Sequence, residues 1–445
     1  MAIDYNIISA VLAGVVLLLV MIMGLKLPAF LSLLVSSIVV GLLAGLDGTE
    51  VINTVKTGMG STLGFVATVV GLGAMFGGIL ELTGGAKSIA QHLLRVIGKE
   101  GASWSMGMTG FLIAIPVFFD VAFIILVPVI YALQKKTQKS LLHFAIPLLS
   151  GLAITHSFIP PTPGPIAVAE IINANLGWVM LVGFLAGLPA LYISGILFGK
   201  YIGDRIHLVA PLSDEPVNEI NLPSFYKILA IIMMPIGLII LSTILSFDAG
   251  ENSSALVETF ILLGHPFVAL IIANIVAWYL LGRGEGYSSN ELLDVCSKSF
   301  KPAGLIILLT GAGGVFKQML VKTEAGAMMA TGLADLGISV IFFAFISASL
   351  IRVVQGSATV AMITAAGLVS PLLVAGSLSD LQLAALVIAI ASGASIFSHV
   401  NDSGFWLVKE YLGMTEKQTF RSWTLMTGLL AFTGFTVSLA VFYFS

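Results

Sequence analysis

Charge and cysteine are both scarce in this sequence. Charged residues make up only 10% of its 445 residues, the net charge is −3, and no basic cluster is long enough to hold a polyanion. These features exclude a nucleic-acid-binding protein. The single cysteine, Cys296, excludes a disulfide framework and a cysteine-based metal site. The patterns H-E-x-x-H and G-x-S-x-G are missing as well, so the sequence predicts no enzyme, no metal and no cofactor.

Apolar residues dominate instead. They make up 58% of the chain, which excludes a soluble globular protein and predicts an all-α polytopic protein surrounded by a lipid bilayer. The apolar runs are too long, and alternate too little, for an outer-membrane barrel. The stretch 7–25 lacks a basic leader and a cleavage site, so we expect a retained helix. Ten spans are predicted, at 6–25, 28–46, 61–82, 141–175, 178–199, 225–246, 265–282, 301–321, 379–413 and 420–444.

The chain contains two segments that match each other. "GLGAMFGGILELTGGA" at 71–86 aligns with "GAGGVFKQMLVKTEAG" at 311–326, and His156 aligns with His399 at nearly the same offset. Gly-rich apolar segments resemble one another in many membrane proteins, which is the simpler interpretation. A nearly constant offset over some 80 residues favours an internal repeat. We therefore predict a first repeat at 1–199 and a second at 225–445.

Charge placement predicts that the two repeats are inverted. The flanks of 101–133 are basic, whereas the matching flanks of 338–376 carry no Lys or Arg. Because cytoplasmic loops carry the excess of basic residues, the halves should face opposite ways, with five spans each. Both segments are too long for one span and begin and end on one side, which predicts re-entrant hairpins. The hydrophilic stretch 200–224 is predicted to be a cytoplasmic linker.

Two predicted spans, 141–175 and 379–413, are interrupted by polar and helix-breaking residues. "THSFIPPTPGP" at 155–165 holds four prolines in six positions, which a continuous helix does not tolerate. "FSHVNDSGFW" at 397–406 occupies the same place in the second repeat. Isolated prolines often only kink a packed helix, but this density predicts two broken helices. Unwound backbone at membrane depth lines a cavity in secondary transporters, where substrates and ions bind.

Ionisable residues near these breaks are candidate functional groups. Asp402 lies within the second break, and an aspartate at membrane depth usually marks an ion or proton pathway. Asp120 fits either a structural ion pair or a protonation switch. Arg352, four residues before a Gly-Ser turn, fits an anion site, although it could also reach towards a lipid headgroup. His156 and His399 fit either ligands or neutral buried histidines.

At these residues the sequence resembles the gluconate permease family of gluconate:proton symporters, over the whole chain. Five segments carry the resemblance: "STLGFVATVVGLGAMFGGILE" at 61–81, "IPVFFDV" at 115–121, "THSFIPPTPGP" at 155–165, "GSATVAMITAAG" at 356–367 and "SHVNDSGFWLVKEY" at 398–411. Ser403 departs from the family pattern, where a proline is expected. The resemblance implies the ion transporter superfamily, with inverted repeats and a homodimer that moves as an elevator.

The resemblance implies import of gluconate or a related sugar acid together with a proton, across the bacterial inner membrane, by alternating access. The substrate would lie between the two hairpin tips and the two helix breaks. Its carboxylate would face Arg352, Ser357 and Thr359, and its hydroxyls would meet Thr155, Ser157, Thr162, Ser398 and Asn401. Proton coupling would fall to Asp120 and Asp402, followed by His156 and His399.

Other substrates and mechanisms stay open at this point. Another small hydroxy-carboxylate or D-serine differs from gluconate by groups that one or two contacts discriminate. Sodium coupling needs only backbone carbonyls, which leave no trace in the sequence. A channel would show the same apolar spans and polar breaks, but it would not concentrate its substrate.

Overall fold

The computed structural model describes residues 5–98, 101–210, 222–248, 254–325, 339–373, 377–400 and 402–445. Within these ranges every regular element is helical. Seven helical stretches there are long and apolar enough to cross a membrane: Gly48–Leu82, Leu142–Ile172, Leu176–Arg205, Phe225–Ser246, Pro266–Glu285, Ser289–Lys322 and Glu416–Phe444. The predicted fold class, an all-helical polytopic membrane protein, is confirmed.

The described residues of the N-terminal half contain ten α-helices. In chain order they are α1 Tyr5–Leu19, α2 Ala29–Leu43, α3 Gly48–Leu82, α4 Gly85–Ile97, α5 Ala102–Ile113, α6 Phe119–Thr137, α7 Leu142–Phe158, α8 Pro163–Ile172, α9 Leu176–Ala190 and α10 Phe198–Arg205. A π-helical segment, Leu191–Leu197, joins α9 to α10, and another, Val20–Gly24, extends α1. Helices α5 and α6 form a helical hairpin, and α7 and α8 are two parts of one broken helix.

The described parts of the C-terminal half contain a similar succession. The helices are α11 Phe225–Asp248, α12 Ala255–Leu263, α13 Pro266–Ala277, α14 Ser289–Lys322, α15 Val340–Gln355, α16 Ala358–Val369, α17 Asp380–Ser395, α18 Ser403–Leu412, α19 Glu416–Thr419 and α20 Leu425–Phe444. Short π or 3-10 segments extend α13 (Trp278–Gly282 and Arg283–Glu285), α16 (Ser370–Leu372) and α19 (Phe420–Thr424). Helices α15 and α16 form the second hairpin, and α17 and α18 the second broken helix.

Both halves therefore place a long helix, a hairpin, a broken helix and a final long helix in the same order. Their opposite orientation in the membrane stays a prediction. Part of the predicted linker, 211–221, lies outside the described residues, as do the first residue and the last three of the predicted hairpin 338–376.

Two predicted helix starts were wrong. Helix α3 begins at Gly48 rather than at 61, and α14 begins at Ser289 rather than at 301. Polar residues in their first turns hid them from an apolar-run criterion, but each start is capped. The Asp47 carboxylate accepts hydrogen bonds from the backbone N–H groups of Thr49 and Glu50, and Ser288 forms a reciprocal capping box with Glu291.

Close backbone contacts fix each hairpin to its broken helix. A Cβ atom on Gly151 of α7 would collide with the backbone of Gly107 and Phe111 in α5. A Cβ atom on Gly393 of α17 would likewise collide with the carbonyl oxygen of Phe345 in α15. Only glycine permits such an approach, because any other residue places a side-chain atom in the interface.

The first broken helix lies at the centre of the fold. In its most apolar 18-residue window 83% of the residues are buried, against 39–56% in the other six spanning stretches. Non-helical backbone in a membrane is tolerated only where protein or a wet cavity surrounds it. The central position of Leu142–Ile172 meets that requirement.

Candidate functional site

The prolines of the first break divide into two groups. Pro160 and Pro161 follow the last residue of α7, where they end the helix because they cannot donate its next hydrogen bonds. Pro163 and Pro165 instead lie in the first turn of α8, where backbone N–H groups have no intrahelical partner anyway. The proline-rich segment therefore both ends one helix and starts the next, and only residues 159–162 are unwound.

The second break is held by the last spanning helix. The hydroxyl of Thr427 accepts a hydrogen bond from the Ser398 N–H (3.0 Å), and Thr424 donates to the Ser398 carbonyl. The indole N–H of Trp423 donates to the Ser398 hydroxyl at 2.6 Å. Phe397 has a left-handed φ of +44°, a strained conformation that clusters at functional sites. Trp423, Thr424 and Thr427 were not among the predicted site residues, although "SWTLMT" is a polar interruption of an apolar span.

Asp402 caps the helix that follows this break. Its Oδ1 atom accepts a hydrogen bond from the Gly404 N–H at 3.1 Å, and α18 begins at Ser403. Proline is favoured at that first helical position because its missing N–H is not needed there. Serine at position 403 therefore leaves the break where a proline would have placed it.

The structure joins two residues for which the sequence predicted separate roles. Nη2 of Arg352 donates to Oδ2 of Asp402, and its Nη1 donates to the carbonyl oxygen of Gly356, at the turn of the second hairpin. The Ser398 hydroxyl donates to the same Oδ2 atom. The side chains of Arg352 and Asp402 are only 5% and 14% exposed. Arg352 thus lies within the fold and does not extend towards a lipid headgroup.

Arg352 retains donor capacity that the described residues do not use. Its Nε atom is buried without an acceptor among them, and the Oε1 atom of Gln355, one turn later, is buried without a donor. Ser357 caps α16 through Val360 N–H, and Thr359 lies in the first turn of that helix. Helix N-termini and guanidinium groups both attract anions. The tip of the second hairpin is therefore suited to an anionic ligand.

The first hairpin brings a second carboxylate to the same region. Asp120 is an exposed residue in the first turn of α6, and among the described residues it has no ion-pair partner. It lies close enough to Asp402 for the two charges to repel each other. The neighbouring Phe119 ring lies 5.5 Å from that of Trp423. The alternative of a structural ion pair for Asp120 is thus without support in the described chain.

The two candidate histidines occupy different environments. Nε2 of His399 lies 2.8 Å from the carbonyl oxygen of Val353, so it must carry a proton and donate it to that oxygen. This contact ties the second break to the second hairpin. Nδ1 of His156 is buried without a partner among the described residues, and its ring lies 6.4 Å from that of Phe118. His156 also lines a cavity of about 10 Å³, space for about one water molecule, beside Pro161.

Two predicted substrate contacts already take part in the fold. The Thr155 hydroxyl donates to the carbonyl oxygen of Phe111 at 2.8 Å, and the Thr162 hydroxyl donates to that of Ile159 at 2.6 Å. A substrate could reach only the remaining lone pairs of these two oxygen atoms. Ser157 is buried beside them, whereas Asn401 lies outside the described residues.

A larger cavity leads to the first hairpin. It has a volume of about 570 Å³, and its walls include Pro116 and Phe118 at the hairpin turn as well as Glu81, Lys87 and Lys298. Glu81 is exposed at the wall of this cavity. The cavity gives small polar molecules a wide approach to the hairpin turn.

The second hairpin also contacts the first broken helix. A Cβ atom on Gly164 of α8 would lie 2.8 Å from the sulfur of Met362 in α16. The Ser370 hydroxyl donates to the carbonyl oxygen of Ile171 at 2.8 Å. Together with the contacts of Asp402 and Trp423, these interactions bring both hairpins and both breaks into one region.

The sequence of this chain is similar to one family of permeases over nearly its whole length. The model of the GntP family permease matches residues 5–444. The low-affinity gluconate transporter of Escherichia coli K12 is 39% identical over 439 residues, which cover 98% of each chain. The Gnt-II system L-idonate transporter of the same organism is 34% identical over 432 residues, 96% of this chain and 97% of the relative. The solved structure of Neisseria gonorrhoeae MtrF superposes with a TM-score of 0.64 at 15% identity, covering 94% of this chain and 96% of that one, and shares the fold.

Proposed function

We propose that this chain, which belongs to the GntP family of permeases, imports gluconate or a closely related sugar acid across the bacterial inner membrane. Its family and its named relatives are permeases and transporters, so it is a membrane transport protein and not an enzyme. The relatives that transport gluconate and L-idonate support the substrate class. Another small hydroxy-carboxylate or D-serine is the second candidate.

The buried guanidinium of Arg352 is the observation that carries the proposal. It lies 95% buried where the second hairpin meets the second break, and its Nε–H group is unused by the described residues. A carboxylate matches the planar fork of an arginine. Ser357 and Thr359 directly follow the Gly356 carbonyl that Arg352 contacts, at the start of α16, where they can supplement the arginine in binding the carboxylate.

Alternating access and proton coupling complete the proposal. The two breaks interrupt the regular helix between α7 and α8 and between α17 and α18, as in transporters that bind substrate between inverted repeats. Asp120 and Asp402 supply carboxyl groups that can carry a proton. Sodium is the alternative coupling ion, held by the carbonyls of residues 159–162. A homodimer and opposite orientations of repeats 1–199 and 225–445 belong to the same proposal.

Uptake into proteoliposomes tests the function directly. Labelled gluconate should accumulate above its external concentration when an inward proton gradient is imposed. Unlabelled L-idonate should compete. A sodium gradient that drives accumulation without a pH gradient would reassign the coupling ion. Equilibration without accumulation would indicate a channel, and neither uptake nor competition by any sugar acid or D-serine would refute the proposal.

A further inference from the structure

Asp402 engages only one of the two neighbouring donor groups that Arg352 can offer to a carboxylate. The Nε and Nη2 groups of a guanidinium point to the same side and form a fork that one carboxylate can engage with both oxygens. Asp402 occupies only Nη2, with Oδ2, while its Oδ1 accepts the Gly404 N–H that starts α18. Asp402 cannot turn both oxygens to Arg352 without giving up that cap. A free carboxylate without this constraint can engage the whole fork.

We propose that Arg352 exchanges partners, and that this exchange couples the proton to the substrate. The inference rests on the proposed function and deepens it. When the substrate carboxylate binds the Nε and Nη2 groups of Arg352, Asp402 loses its counter-charge. A buried carboxylate without a counter-charge favours its neutral form, so Asp402 takes up one proton. Release of the substrate returns Asp402 to Arg352 and expels the proton.

The surroundings of Asp402 favour that proton uptake. Asp120, on the first hairpin, adds a repulsive negative charge, and His399 is occupied with the carbonyl oxygen of Val353. Ser398 can reverse its hydroxyl: it donates to Oδ2 of the carboxylate, and it can accept from the protonated acid while Trp423 still donates to it. Arg352 is thus the only opposite charge that contacts Asp402 among the described residues.

Charge balance supports the exchange. Before binding, the Arg352–Asp402 pair holds one arginine cation and one aspartate anion. Afterwards it holds the arginine cation, the substrate anion and a neutral Asp402, so the net charge of the pair is unchanged. An ionised Asp402 beside a bound sugar acid would instead leave one buried anion uncompensated, which membrane proteins avoid.

Proton uptake on binding measures the exchange in the wild-type protein. Gluconate is added to purified protein in weakly buffered detergent solution at pH values between 6 and 8. A sugar acid is already ionised there, because carboxylic acids have a pKa of about 4. About one proton should be taken up per gluconate bound, and by linkage the apparent Kd should rise about tenfold per pH unit wherever binding takes up one proton. If gluconate binds but no proton is taken up at all across this pH range, the proposal is overturned.

Substitutions then assign the proton. Asp402→Asn should bind gluconate with no proton uptake and no pH dependence, and should still exchange labelled for unlabelled gluconate without a gradient. Asp120→Asn should retain the proton uptake, and the exposed Asp380→Asn, at the start of α17, is the matched control. If Asp402→Asn keeps the proton uptake, or Asp120→Asn loses it, the exchange is refuted. If Asp402→Asn does not fold, the wild-type and Asp120→Asn measurements still decide.

The same experiments separate this inference from the proposed function. A wild-type protein that neither binds nor accumulates any sugar acid refutes the function itself. A protein that accumulates gluconate under a proton gradient, but binds it without taking up a proton through Asp402, refutes only the exchange.

Discussion

Removal of the guanidinium from the Arg352–Asp402 pair should destabilise the protein through the charge left behind. Arg352→Met keeps a long unbranched side chain, but among the described residues it leaves Asp402 with only the Ser398 hydroxyl and the Gly404 N–H. Breaking a buried ion pair costs about 3–5 kcal/mol. Because the Asp402 side chain is 14% exposed, we expect the lower end of that range, about 3 kcal/mol.

A second substitution isolates the cause. Arg352→Met combined with Asp402→Asn removes both charges of the pair and loses mainly hydrogen bonds, which contribute about 1 kcal/mol each. The double variant should therefore be more stable than Arg352→Met alone, by about 1–2 kcal/mol. If lost packing were the cause, the second substitution would lower the stability further. A rise in stability therefore indicates that the buried charge was the cause.

Denaturant unfolding in detergent micelles, followed by tryptophan fluorescence, gives the free energies. Lys227→Met is the matched control, because Lys227 pairs with Glu285 at 2.6 Å while both side chains are about 30% exposed. It should change the stability by less than about 1 kcal/mol. If the double variant is no more stable than Arg352→Met, the destabilisation does not come from an uncompensated Asp402, and the reasoning fails.

Three further outcomes follow from the contacts. Gly151→Ala should cost about 1–3 kcal/mol by overpacking and reduce uptake, whereas Gly237→Ala, which meets open space, should leave both unchanged; equal effects would contradict the close approach. Trp423→Phe should lower stability by about 1 kcal/mol through its lost hydrogen bond and slow uptake, with the exposed Trp104→Phe as control. His399→Gln, which keeps a donor, should retain accumulation driven by a pH gradient; its loss would assign the histidine a part in coupling.

Much of the architecture follows from local sequence. Apolar runs are sufficient to predict spanning helices, because a bilayer demands about 20 apolar residues per crossing. Proline density locates the first break to within a few residues, since proline cannot continue a helix. The starts of α3 and α14 were missed because polar capping residues carry helices beyond the apolar run, as Asp47 and Ser288 do.

The candidate site could be predicted only as a set of residues. The sequence singled out Arg352 and Asp402 because charges are rare in apolar chain, but their partnership joins positions 50 residues apart. The resemblance placed Thr155 among the substrate contacts, and only the folded structure shows that its hydroxyl also donates to the carbonyl oxygen of Phe111. Trp423 was not predicted as a site residue, because an aromatic residue in an apolar span usually packs against its neighbours.

The sequence alone is sufficient to predict an all-helical membrane protein, the positions of its two helix breaks, and the few ionisable residues that lie beside those breaks. These properties depend on composition and on neighbours along the chain. The tertiary structure is needed to show that Asp402 contacts Arg352, that Asp120 approaches Asp402, and that the last helix holds the second break. Such contacts depend on how helices distant in sequence pack together, and no local pattern encodes that packing.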